Sequence, residues 1–96
     1  MGLHRVHNLR EGNRPVPAGY SSWIDYWEKA TGLKAGNCHN VNCNAKATDG
    51  GHVQLDFGSD KWYIVPLCHW CNTQFGMHFT AEGPLVSATN PKDILW

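Results

Sequence analysis

Apolar and polar residues alternate most clearly over residues 52–57 (HVQLDF), the period of a half-buried β-strand. Gly58-Ser59-Asp60 supplies a turn. The β-branched and aromatic run at 61–67 (KWYIVPL) reads as a second strand, so the two predict a β-hairpin. Pro66 falls near the end of that run, where a missing N–H is tolerated. A different period holds upstream. Trp23 and Trp27 are four residues apart with Ile24 and Ala30 beside them, which places them on one face of a helix. That helix is predicted over residues 22–31, with Ser21 or Ser22 as its cap, Asp25 in its first turn and Gly32 as its stop. Its tryptophan face is expected to pack as core. Residues 1–19 are polar and broken by Gly12, Pro15, Pro17 and Gly19, and read as an extended or mobile segment. Residues 85–89 (LVSAT) suggest one more strand, and the apolar end Ile94-Leu95-Trp96 is expected to dock.

These elements amount to a small α+β domain spanning 1–96. A chain of this size buries a modest share of its surface and gains from a staple. Eight Lys and Arg balance eight Asp and Glu, so a broad phosphate-binding surface is not expected. The one locally basic stretch carries Arg5, Arg10 and Arg14 with His4 and His7, and is the candidate phosphate-contacting arm. No apolar run is long enough to span a bilayer and none near the start reads as a signal peptide, so a cytoplasmic monomer with no membrane association and no small-molecule cofactor is expected. In that compartment thiols stay reduced, which favours a metal over disulfides for four cysteines.

The cysteines fall as Cys38-x4-Cys43, then, after 24 intervening residues, Cys68-x2-Cys71. Two pairs bracketing a hairpin suit the tetrahedral thiolate shell of zinc, and the Gly- and Asn-rich segment around the first pair (GNCHNVNCNAKATDGG) suits the tight turns of a knuckle. A site of four thiolates leaves no open position for water, so this Zn2+ is expected to be structural. His39 and His69 are expected to flank it.

Knuckle, hairpin and a helix that begins at the second cysteine pair make a treble-clef, ββα-metal-like arrangement. Over residues 36–80 the chain resembles the HNH, or His-Me finger, endonuclease superfamily of the zinc-bearing type. The resemblance rests on Cys38/Cys43, His52 at the start of the first strand, and the run Pro66–Asn72 (PLCHWCN). It implies His52 as the general base and Asn72 as a ligand to a catalytic Mg2+ or Mn2+. The chain departs from the pattern at Gly51, where the family carries a metal ligand, and at Gly76, where a second ligand on the helix would stand. Asp49 and His78 are the available substitutes, Asp49 only through an unusual loop. These departures favour an HNH-like module that binds a protein or nucleic-acid partner without catalysis, with Arg5, Arg10, Arg14 and Trp70 as contacts. The alternative is a minimal nuclease cutting DNA or RNA with His52, Asn72 and one substitute.

Overall fold

The hairpin forms the centre of a larger sheet. The computed structural model describes residues 2–10 and 14–96. The first hairpin strand, β2 (Asp49–Leu55), pairs antiparallel with the second, β3 (Trp62–Leu67), with His52 opposite Ile64 and Gly50 opposite Pro66. On the open side of β2 lies β1 (Leu3–Asn8), and β4 (His78–Glu82) pairs with β1 in turn. On the open side of β3 lie β5 (Leu85–Ser87) and β6 (Ile94–Leu95). The order β4-β1-β2-β3-β5-β6 is antiparallel throughout.

Two helices close this sheet. The first, α1 (Trp23–Thr31), starts where Ser22 Oγ accepts from the Asp25 amide at 3.0 Å. It stops at Gly32, whose left-handed φ of 74° lets its amide reach Glu28 O at 2.8 Å. The second, α2, is only His69–Asn72 and is capped by the Cys68 sulfur, so Gly76, which the resemblance placed on the helix, lies beyond its end. Among the described residues no helix is long and apolar enough to cross a membrane.

Strand alternation sorts the core onto two faces. Val6, Val53, Tyr63, Val65, Leu67 and Leu85 gather with Phe79, Ala81 and three of the cysteines on one side. Ile64 and Val86 meet Tyr26 and Trp27 of α1 on the other. Trp27 is fully buried and donates its indole N–H to Pro84 O at 2.9 Å, so its polar edge is satisfied as well.

Part of the N-terminal segment, read in sequence as extended or mobile, is an extended strand. Leu3–Asn8 is an internal strand held on both edges. Its apolar signal is nearly confined to Val6, because its other fully inward residue is polar: Asn8 donates to Cys71 O at 2.6 Å and Gln74 O at 3.0 Å, tying β1 to α2. β2 also starts three residues before the predicted strand. Its two glycines are there for close approach. A Cβ on Gly50 would lie 2.5 Å from Trp23 Cβ on the α1 face, and one on Gly51 would lie 2.5 Å from Leu67 Cδ1 on the other.

Candidate metal centre and the cleft beside it

The knuckle is folded by its own backbone. The Cys38 amide donates to Ala45 O at 2.7 Å, and the Cys43 amide to Asn40 O at 2.9 Å. These turns bring Cys38 and Cys43 against Cys68 and Cys71, which open α2, so that all four sulfurs lie within 4.8 Å of one another. None is bonded in a disulfide. Cys43 and Cys68 Sγ are 3.8 Å apart. Four sulfurs at about 2.3 Å from a zinc ion stand about 3.8 Å from each other, so the spacing fits. Two N–H groups also point at the sulfurs: the Cys71 amide at Cys68 Sγ (3.4 Å) and Asn40 Nδ2 at Cys71 Sγ (3.6 Å). Burial pushes the Cys38 and Cys71 thiols up, which makes a cation among them the natural counter-charge for their thiolates. The four cysteines can therefore hold a metal ion such as zinc.

Neither flanking histidine stands in this shell. His39 Nε2 sits 3.0 Å from Ala35 O with its ring edge-on to Trp27, and burial lowers its pKa. His69 turns outward to Asp49. Asn40, which reads in sequence as a turn residue, serves both the turn and a sulfur. Its spacing beside Cys38 and Cys43 was the only available signal for the second role.

Next to the metal centre a cleft of about 500 Å³ opens between α1, the start of β2 and α2. His52, Asn72, Asp49 and His69 all line it. Asp49 reaches Asn72 along the regular pleat of β2, without the unusual loop the sequence seemed to require. Positions 49 and 51 share a face, and a Cβ at Gly51 would lie 3.0 Å from Asn72 Oδ1. The Asp49 Oδ2 atom accepts from Asn72 Nδ2 at 3.0 Å and is 2.8 Å from His69 Nδ1, while Thr48 Oγ1 donates to Oδ1 at 3.0 Å. Burial opposes the charge on Asp49, but the hydrogen bonds from His69, Asn72 and Thr48 hold its carboxyl below the usual range.

His52 belongs to the opposite face of the same strand. Its side is that of Gly50, under α1, where the ring meets Trp23 edge-on with centroids 4.7 Å apart. It is 5% exposed, and its Nε2 is buried with no hydrogen-bond partner among the described residues. Burial, aided by the nearby Arg14 guanidinium, lowers its pKa to about 4, so the ring is neutral at pH 7. His78 is not in the cleft. It sits on β4, 3.0 Å from Asp56.

The three arginines of the basic segment divide. Arg5 turns to Thr80 and Asp56, away from the cleft. The Arg10 guanidinium lies 5.2 Å from the ring centroid of Phe75, which lines the cleft, and that of Arg14 lies 4.1 Å from the ring centroid of Trp62. Trp70 on α2 is 65% exposed and Phe75 is 48% exposed. No family model matches the chain, and no curated protein and no solved structure matches it.

Proposed function

We propose that the chain is a zinc-stabilised module of treble-clef, HNH-like shape that binds single-stranded nucleic acid without cutting it. The observation that carries this reading is a pair of exposed aromatic rings, Phe75 lining the cleft with the Arg10 guanidinium beside it and Trp70 standing out from α2. Flat side chains in water beside guanidinium groups are what nucleobases stack on. Structural Zn2+ held by Cys38, Cys43, Cys68 and Cys71 supplies no chemistry beyond fixing the knuckle against α2. Three features argue against catalysis: a four-thiolate site has no open position, His52 is walled off under Trp23, and the Asp49 carboxylate is already engaged by three side chains.

Fluorescence anisotropy with a short labelled single-stranded oligonucleotide tests the proposal. Wild-type protein should bind at low salt, and Trp70→Ala or Phe75→Ala should weaken binding roughly 5- to 100-fold, the worth of about one stacked base. Absence of binding by the folded protein, or binding unchanged in both variants, would remove the reading.

A second reading has its own observation. Asp49, His69 and Asn72 meet in one cleft that His52 borders from the opposite face of β2, its Nε2 without a hydrogen-bond partner among the described residues. In that case Mg2+ or Mn2+ would sit on Asp49 and Asn72, with His52 as base. Cleavage of the same oligonucleotide or of plasmid, dependent on Mn2+ and lost in His52→Ala and Asp49→Asn, would establish it in place of the non-catalytic reading.

A further inference from the structure

The helix α1 covers one face of the sheet only over β2, β3 and β5. On the half of that face it leaves bare, three side chains from three adjacent segments come together. His7 on β1 and His78 on β4 are register partners, and cross-strand partners project to the same side. Their rings are 5.1 Å apart, tilted by 37°. Asp56 follows the end of β2, where its amide donates to Arg5 O at 3.0 Å and sets its side chain beside His7. Both imidazoles aim the same atom at the same oxygen: His7 Nδ1 is 2.7 Å and His78 Nδ1 3.0 Å from Asp56 Oδ1. The three ligand atoms lie within 4.8 Å of one another.

We propose that His7, His78 and Asp56 form a second, solvent-open site for a divalent transition-metal ion of the zinc type. Two imidazole nitrogens and one carboxylate oxygen are a donor set that zinc accepts. Around a tetrahedral ion with such ligands at about 2.1 Å, neighbouring donors stand about 3.4 Å apart, so the His7–Asp56 pair would open by about 0.7 Å and the His78–Asp56 pair by about 0.4 Å. The side chains of Asp56, His7 and His78 are 10%, 24% and 58% exposed, so the site is anchored on one side and open to water on the other. Water would complete the shell, unlike the closed site of the four cysteines. Arg5 Nε, 3.6 Å from the other Asp56 oxygen, fixes the carboxylate and adds positive charge nearby. That charge opposes any cation, and the two imidazoles with a single carboxylate favour ions that imidazole binds well over Mg2+ or Ca2+, which depend on oxygen ligands. The two sites share no residue, and this one stands or falls apart from the function of the cleft.

Calorimetric titration of tag-free, zinc-loaded protein with Zn2+ tests the assignment. Wild type should take up about one further, exchangeable equivalent, and Asp56→Ala and His78→Ala should each lose it while keeping the tightly held zinc. His78 is exposed, so its replacement leaves the fold intact and keeps the comparison interpretable if Asp56→Ala is unstable. No further uptake by wild type, or uptake that persists in His78→Ala, would overturn the site.

Discussion

The two faces of the sheet are closed by different means. Under α1 the closure is apolar. Tyr26 and Trp27 fill the space over Ile64 and Val86, and Gly50 lets the helix come close. On the other face an apolar cluster of Val6, Val53, Tyr63, Val65, Leu67 and Phe79 is joined by buried Asn8 and three buried cysteines. α2 is a single turn and cannot cover that face by itself. The four sulfurs bring the knuckle, the end of β3 and α2 together at one point, where a metal ion can tie them. The difference teaches that one face should fail by degrees and the other all at once.

The largest effect is expected on the cysteine face. Cys71→Ser should abolish the cooperative fold, because structural zinc sites contribute on the order of 10 kcal/mol of folding free energy. Loss of near-ultraviolet circular dichroism in the variant checks this, and a native-like spectrum would show that packing alone closes that face. Trp27→Ala breaks the α1 face and should cost about 3–5 kcal/mol in denaturant unfolding while leaving the metal in place. Metal loss in this variant would show that the faces are not independent.

The smallest effect concerns pH and sharpens the helix side. His52 titrates near its ordinary value when unfolded and at about 4 when folded, so the unfolded state binds its proton first. Stability from this residue is present above about pH 6.5 and is lost as pH falls toward 4, by up to about 3 kcal/mol. Comparing the pH dependence of unfolding for wild type and His52→Phe isolates this contribution from proton-driven metal loss, which both proteins share. Parallel curves would mean that the ring is not held neutral by burial.

Much of this plan can be read in the sequence. The Trp23/Trp27 spacing, the Ser22 cap and the Gly32 stop mark α1, and HVQLDF with KWYIVPL marks the hairpin. The cysteine spacing marks the metal centre. What the sequence hides has a physical cause in each case. β1 buries an asparagine where a strand would ordinarily bury an apolar residue, so its alternation is faint. Gly50 and Gly51 look like turn residues but lie within β2, because Trp23 and Leu67 press on them from opposite faces. Asp49 seems too far from Asn72 along the chain. The pleat brings it to the same face, and the same alternation sends His52 to the other. The His7–Asp56–His78 cluster joins residues 22 and 49 positions apart, a proximity that only strand register creates.

The central claim is that a metal closes one face. Its most direct test is the zinc content of reduced, freshly purified protein after passage over a weak chelating resin, which strips exchangeable ions. The account predicts about one retained equivalent, and unfolding when a strong chelator removes it. Less than about half an equivalent in protein that still unfolds cooperatively would contradict it, because a closed site of four thiolates does not release zinc so readily.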